Sequence, residues 1–388
     1  MKAIVCREHG PASGLVFADL PDPVAGPGEV VVAMRACALN FFDTLIIRDR
    51  YQFKPALPFS PGGEIAGVVE SLGAGVEGVA VGDRVVAYVK WGGAREKVVA
   101  KAADLVAMPD DLDFVPAATL SVTYGTAVHG LVDRGEVRPG ETVAILGASG
   151  GVGQAAIEVG KAVGARVIAC ASGADKLAFC REVGADEVVD YDAEDLKTRL
   201  KDLTGGRGVD VVYDAVGDRY AEPALRATGW RGRHLVVGFA AGEIPKIPLN
   251  LLLLKGCDLR GVFWGDHLVR EPEAFRREMA QIMAWVGEGK LRPHIHAVRP
   301  LSETAAAIEA ISPSPPMIAS QPQASAGGSL PSTRTRSGDS GSAETARRID
   351  SNVACRMLIV SISVAEALPT PTASALARIR TQSSSRRW

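Results

Sequence analysis

Ala148, Gly150 and Gly153 stand at the spacing of a G-x-G-x-x-G motif, with alanine at its first position. An apolar run that ends at Leu146 precedes the motif, and a helical pattern from 154 to 163 follows it, so a strand, a turn and a helix are predicted in that order. In such a turn a glycine lets the backbone approach a pyrophosphate, and the unpaired N–H groups of the helix start face the anion. The segment predicts a dinucleotide site made by Gly147, Ala148, Ser149, Gly150, Gly151, Val152 and Gly153.

The end of the next predicted strand indicates which dinucleotide binds. NAD-binding folds place a carboxylate there to hold the ribose hydroxyls, whereas this chain has Ser172 at the strand end and Lys176 four residues later. A hydroxyl and a cation suit a 2′-phosphate, which favours NADPH over NADH. Asp175 is the opposing residue, although it also suits the first turn of a helix.

The cysteines and histidines do not form a metal motif. The six cysteines are scattered without a C-x-x-C pair, so neither a disulfide framework nor a zinc cluster is expected. His294 and His296 alternate in sequence but have no Cys or acidic partner nearby. We predict no metal site.

A repeated strand and helix pattern surrounds the glycine motif. Apolar runs at 165–170, 187–189, 209–214, 233–238 and 259–263 alternate with helical stretches. This alternation predicts a doubly wound parallel sheet of the Rossmann type in an α/β protein. The residues before about 120 have a different texture, with short β runs at 29–36, 64–71 and 82–88 separated by Gly and Pro. They predict a small barrel or sandwich.

Length and charge restrict the class of protein. A chain of 388 residues allows two or three domains, and a formal net charge of −2 gives no broad attraction to nucleic acid. No signal-peptide pattern follows Met1, and no apolar run is long enough to cross a membrane. We expect a cytoplasmic protein without a membrane or nucleic-acid partner.

Over residues 1–310 the chain resembles a known family. The matching segments are 39–43, 57–64, 81–85, 124–127, 146–153, 184–186 and 205–214. They are similar to the zinc-independent quinone oxidoreductase branch of the medium-chain dehydrogenases/reductases, related to zeta-crystallin. The resemblance implies a GroES-like β-rich catalytic domain (1–122, rejoined at 265–310), a Rossmann NADPH-binding domain (123–264), a cleft between them and a homodimer.

The same resemblance implies roles for residues in the cleft. Zinc-using relatives carry a Cys and a His where this chain has Asn40 and Gly63, and neither replacement can ligate zinc. Without a Lewis acid, hydride addition to a quinone or activated alkene is expected rather than alcohol oxidation. Asn40, Asp43 and Tyr51 are the predicted catalytic-domain residues, with Tyr51 as the proton donor and Asp43 also open to a purely loop-fixing role. The nicotinamide would be surrounded by Asn40, Thr123, Gly238, Phe239, Val262 and Phe263, and the adenosine phosphate held by Ser172, Lys176 and Tyr191.

Two alternatives remain open at this stage. One keeps the NADPH-dependent reductase but changes the acceptor to an enoyl-thioester or a 2-alkenal. The other is a non-catalytic NADPH- or RNA-binding crystallin-like protein, for which the arginines at 378–387 offer a weak basic end.

The resemblance stops abruptly inside a predicted helix. From 311 to 388 the composition turns to Ser, Ala, Arg, Pro and Thr, without Lys, Phe or Tyr. Such a composition predicts a disordered tail, and we interpret it as an off-frame or foreign extension. The closing strand that the family adds to the catalytic domain is then expected to be lost.

Overall fold

The computed structural model describes residues 1–311 and 358–361. Its strands are β1 (Lys2–Val5), β2 (Val16–Asp19), β3 (Glu29–Leu39), β4 (Glu64–Leu72), β5 (Arg84–Tyr88), β6 (Lys97–Lys101), β7 (Leu105–Ala107), β8 (Thr142–Leu146), β9 (Arg166–Ala171), β10 (Glu187–Asp190), β11 (Val209–Asp214), β12 (Thr228–Val236), β13 (Asp258–Gly261), β14 (Ala297–Pro300) and β15 (Leu358–Ser361).

The helices are α1 (Phe41–Ile46), α2 (Phe114–Ala117), α3 (Gly125–Val128), α4 (Gly151–Ala162), α5 (Ala174–Val183), α6 (Leu196–Leu203), α7 (Asp218–Ala227), α8 (Asn250–Lys255), α9 (Trp264–Arg270), α10 (Pro272–Gly287) and α11 (Thr304–Ile311). Two π-helical segments, Leu120–Tyr124 and His129–Arg134, flank α3. No helix in the described ranges has the length and apolar character that a membrane span requires.

The second half of the chain forms a parallel sheet with the strand order β10-β9-β8-β11-β12-β13. Every residue of β8 is buried, as expected for a strand covered by helices on both faces. The strand order reverses direction between β8 and β11. Ligands of doubly wound sheets bind at the carboxyl ends of the strands beside such a reversal. The predicted Rossmann fold is confirmed.

The first half forms a mainly antiparallel sheet in which β3 is the central strand. The sheet runs β14-β15-β3-β4-β5-β7, with β6 also paired to β3, while β1 and β2 form a separate hairpin. Two register shifts along the β3–β4 pair bend this long ladder. The predicted β-rich domain is therefore present, and the expected strands at 29–36, 64–71 and 82–88 correspond to β3, β4 and β5.

Several element boundaries differ from those predicted. Helix α4 begins at Gly151, inside the glycine motif rather than at 154, and β12 begins at Thr228 rather than at 233. Helix α10 buries Phe275, Met279 and Ile282 in the same core as α3 and α4. That core also contains Ala38 and Tyr88 of the antiparallel sheet, which the chain rejoins at β14. The domain boundary at 265 stays a prediction.

Four residues beyond 311 belong to this sheet. Strand β15 pairs antiparallel with β3 (Ile359 opposite Ala38) and parallel with β14 (Ile359 opposite Val298). This differs from the predicted loss of the closing strand, because a short apolar run elsewhere in the tail takes a place between β3 and β14. The remaining predictions for the tail concern residues outside the described ranges.

Replacing Ile359 with proline tests this strand. Proline removes one backbone donor from a strand paired on both sides, which costs about 1–3 kcal/mol. I359P is expected to melt several degrees below I359V, roughly 2–4 °C per kcal/mol, as measured by differential scanning calorimetry. Equal melting of the two variants would mean that β15 contributes nothing to the sheet.

Candidate functional site

The glycine motif forms a tight turn between β8 and α4. Gly147 has a φ of +69°, a conformation that favours glycine. A Cβ on Gly153 would lie 2.2 Å from the carbonyl oxygen of Gly147, so the helix start packs directly on the turn. The first N–H groups of α4 have no carbonyl four residues before them within the helix and face outward from this turn. The arrangement fits a pyrophosphate.

The predicted adenosine end lies after β9. Lys176 Nζ is 3.4 Å from Ser172 Oγ, which confirms that these two polar groups are neighbours. The ring of Tyr191 packs on Tyr220 with centroids 4.3 Å apart. The Asp190 carboxylate, which sequence reasoning missed, accepts a hydrogen bond of 3.1 Å from the N–H of Gly173. Hydroxyl, ammonium and aromatic groups thus lie together at this strand end.

The predicted nicotinamide residues of the parallel sheet follow β12 and β13. The N–H of Gly238 donates to the carbonyl of Asp214, and the N–H of Val262 donates to that of Val236. The Phe239 ring lies against Gly217, since a Cβ there would meet it at 2.8 Å. The Phe263 side chain is about half exposed, at 48%. These residues therefore line the carboxyl edge of the sheet, on the side of the glycine turn.

A buried carboxylate connects the two halves of the molecule. Glu64 Oε1 accepts a hydrogen bond of 2.8 Å from Asn40 Nδ2, and its Oε2 accepts one of 2.8 Å from the N–H of Val122. Val122 precedes Thr123, whose hydroxyl is buried and donates to the carbonyl of Thr119. Asn40 and Thr123 are thereby held on opposite sides of one carboxylate. In the sequence Glu64 is the last residue of the family-matching segment 57–64, and no local pattern there predicts a role for it.

Asp43 has a structural position. Its Oδ2 accepts from the N–H of Asn40 and its Oδ1 from the N–H of Gly62, both at 2.8 Å, and the side chain is fully buried. Burial raises the pKa of Asp43 to about 7. With both oxygens occupied by backbone donors, Asp43 fixes the start of α1 and positions Asn40. This is the loop-fixing role left open by the sequence.

Tyr51 belongs to a row of aromatic rings that crosses between the domains. Its ring centroid lies 5.5 Å from that of Phe42 and 5.6 Å from that of Phe53. The row continues through Tyr88 to Trp264, whose centroids are 4.8 Å apart. Burial raises the pKa of Tyr51 to about 12, so its phenol stays protonated near neutrality. Tyr88 is a further site neighbour that sequence patterns did not single out, and Trp264 follows the last predicted strand of the parallel sheet.

Gly63 leaves no space for a ligand side chain. A Cβ at this position would lie 2.4 Å from Cζ of Phe42 and 3.0 Å from the carbonyl oxygen of Lys90. Asn40, the other predicted replacement, directs its amide nitrogen to Glu64. On this side of the cleft the structure therefore presents an amide and a phenol.

Together, the glycine turn at the strand reversal and the β-rich domain packed on it define a two-domain, dinucleotide-binding protein of the medium-chain dehydrogenase/reductase type. Comparisons with known proteins support the same class of protein. Residues 26–110 match the model of the alcohol dehydrogenase GroES-like domain, and residues 151–285 match that of zinc-binding dehydrogenases.

Individual similar proteins identify the family within this class. The quinone oxidoreductase-like protein 2 homolog of Nematostella vectensis is 38% identical over 300 residues, covering 76% of this chain and 81% of the relative. Quinone oxidoreductase of Sus scrofa is 32% identical over 313 residues, covering 80% and 94%. The mycobacterial protein Rv1454c, solved in complex with NADPH, is 31% identical with a TM-score of 0.74, covering 80% and 95%. This chain belongs to the quinone oxidoreductase family of medium-chain dehydrogenases/reductases.

The buried Glu64 carboxyl should make the stability of the protein depend on pH. Burial raises its pKa to about 8, well above the value of an unfolded glutamate, so the folded state holds a proton that the unfolded state releases. The unfolding free energy should then fall as pH rises from about 5 to 8. The glutamine of E64Q cannot titrate. The unfolding free energy of E64Q, measured by urea denaturation, should therefore increase relative to that of wild type as pH rises over this interval.

Asp43→Asn is the matched comparison for this experiment, because Asp43 is equally buried and also has a raised pKa. Its carboxylate accepts only from backbone N–H groups, which an amide oxygen can satisfy at one of the two positions. A difference between E64Q and wild type that stays constant from pH 5 to pH 8 would show that Glu64 does not titrate in this range.

Proposed function

We propose that this protein is an NADPH-dependent reductase that transfers hydride to a quinone without a catalytic metal. The observation that carries the proposal is the Asn40–Glu64–Val122 connection. It ties an amide of the catalytic domain to the helix that enters the dinucleotide-binding domain. The places where zinc-using relatives hold their metal carry an amide and a glycine closed off by Phe42.

The choice of NADPH rests on the residues after β9. Ser172 and Lys176 lie next to each other, and a hydroxyl with an ammonium can bind a 2′-phosphate. The nearby Asp190 carboxylate is engaged by the Gly173 N–H. The similar mycobacterial protein whose structure contains NADPH supports the same choice.

NADPH, when bound, would supply a hydride at C4 of its nicotinamide, so the protein's own tasks are orientation and protonation. Asn40 is held by Glu64 and Asp43 where an amide can bind the nicotinamide end. Addition of hydride to a quinone leaves a phenolate anion that needs one proton. Tyr51 donates a hydrogen bond to that developing oxyanion, and water supplies the proton that completes the hydroquinone.

The protein acts as a homodimer in this proposal. Apolar side chains with large exposed fractions lie on and near the edge strand β13, a distribution that marks an interaction surface. They are Trp230 (73%), Leu253 (81%), Leu254 (70%), Leu259 (36%) and Phe263 (48%).

Steady-state oxidation of NADPH by the chelator-treated full chain tests the proposed function. An ortho-quinone is the principal acceptor, and NADH, an enone and a 2-enoyl thioester are run beside it. We expect turnover with the quinone to survive chelation, to exceed that with the enone and the thioester, and to be faster with NADPH. Loss of all activity on chelation, or a preference for the thioester, would contradict the proposal.

Tyr51→Phe is expected to lower kcat with the quinone at least about tenfold while leaving NADPH binding unchanged, because only the donor to the oxyanion is lost. Tyr213→Phe is the matched control, since the Tyr213 hydroxyl is buried in the core of the parallel sheet and has no hydrogen-bond partner among the described residues. Equal kcat values for Y51F, Y213F and wild type would show that Tyr51 does not stabilise the oxyanion.

A further inference from the structure

Two histidines from distant parts of the chain are stacked in the dinucleotide-binding half. His129 begins the π-helical segment before β8, and His267 lies in α9. Their ring centroids are 4.0 Å apart with planes 16° from parallel, and both residues are only 5% exposed. The two imidazoles thus lie face to face in the protein interior.

A carboxylate fixes one of the rings. His267 Nε2 is 3.0 Å from Glu278 Oε1 of α10, and the Glu278 side chain is only 12% exposed. A carboxylate on one imidazole nitrogen orients the ring and leaves the opposite nitrogen as the ligand, the arrangement found behind metal-binding histidines. The free nitrogen of His267 is Nδ1.

Both Nδ1 atoms are buried without a hydrogen-bond partner in the described part of the chain. Asp133 Oδ2 lies 2.9 Å from Nδ1 of His129 but off the direction of a ring hydrogen bond. Glu271 Oε2 lies 3.8 Å from Nδ1 of His267. Two unsatisfied imidazole nitrogens thus face two carboxylates that are half or more exposed to solvent, with side-chain exposures of 50% and 63%.

We propose that His129, His267 and Asp133 form a binding site for a divalent transition-metal ion such as Zn²⁺. One ligand atom from each of the three residues lies within 4.8 Å of the other two. Glu271 can complete four ligands, and two imidazoles with carboxylates are a suitable set for zinc. A bound ion would satisfy both orphaned nitrogens, and the exposed carboxylates give it a path from solvent.

Binding requires a modest rotation of one ring. The stacked planes have to open until both Nδ1 lone pairs converge, and Glu278 holds His267 in place. The movement therefore falls on χ2 of His129, a torsion with a broad energy minimum. Such an ion would connect the π-helical segment His129–Arg134, which precedes β8, to α9, which follows β13.

This site is separate from the proposed cleft chemistry. His129 and His267 are 138 positions apart in the sequence, and only the fold brings them together. The prediction of no metal site therefore did not include this pair. The acidic partners are at i+4 in each case, Asp133 after His129 and Glu271 after His267.

Isothermal titration of the chelator-treated full chain with ZnCl₂ tests the site. The variant is Asp133→Asn, which leaves both buried rings in place, and the control is Asp111→Asn, an exposed aspartate on a loop. We expect wild type and D111N to bind one equivalent with a dissociation constant on the order of 10 µM or tighter. D133N should bind at least about tenfold more weakly.

A second measurement distinguishes zinc bound at the two histidines from zinc bound at other groups, such as thiols. One equivalent of Zn²⁺ should shift the side-chain ¹⁵N resonances of His129 and His267 and raise the melting temperature by roughly 5 °C. At one equivalent the shifts should be much smaller in D133N than in wild type. Equal affinity of D133N and wild type, no binding, or binding that leaves both histidine signals unmoved would overturn the proposal.

Discussion

The Glu64 carboxylate is the contact on which the cleft depends. It is buried between the β-rich sheet and the helix that enters the parallel sheet, and it accepts one hydrogen bond from each side. A buried carboxyl is costly unless such partners satisfy it. The same carboxylate thus fixes Asn40 relative to Val122, the residue next to Thr123, so the geometry of the site is a property of both domains together.

The other half of the site depends on close backbone packing. Gly153 touches the carbonyl of Gly147, and Gly147 adopts a positive φ to aim the turn at the carboxyl edge of the sheet. Because β8 is completely buried, this turn is anchored on a rigid strand. Lys176, which is partly buried, and Phe263, which is about half exposed, lie at the margins of the site.

The sequence was sufficient to predict the elements with strong periodicity and the local glycine motif. The parallel sheet follows from its alternating strands and helices, and Ser172 and Lys176 lie close together in the sequence at the end of a predicted strand. The role of Glu64 could not be found in this way, because its two donors are 24 and 58 residues away along the chain. The pairing of β15 with β3 was likewise beyond a local pattern, since a long segment separates the two strands.

The role of Asp43 could be predicted only in part from the sequence. Its position three residues after Asn40 indicates a helix cap, but only the structure shows that Gly62 occupies the second oxygen. The stacked histidines depend even more on the fold, because their i+4 acidic partners are visible in the sequence while their meeting is not.

A single-turnover experiment tests whether the protein transfers hydride from NADPH to a quinone without a metal. NADPH carrying deuterium at the transferred position would be mixed with the chelator-treated protein and an ortho-quinone, and the loss of its absorbance followed by stopped flow. We expect complete oxidation of the bound NADPH, loss of deuterium from C4, and a rate slower than with protonated NADPH. NADPH that stays reduced under these conditions, while a divalent metal restores its oxidation, would contradict this expectation.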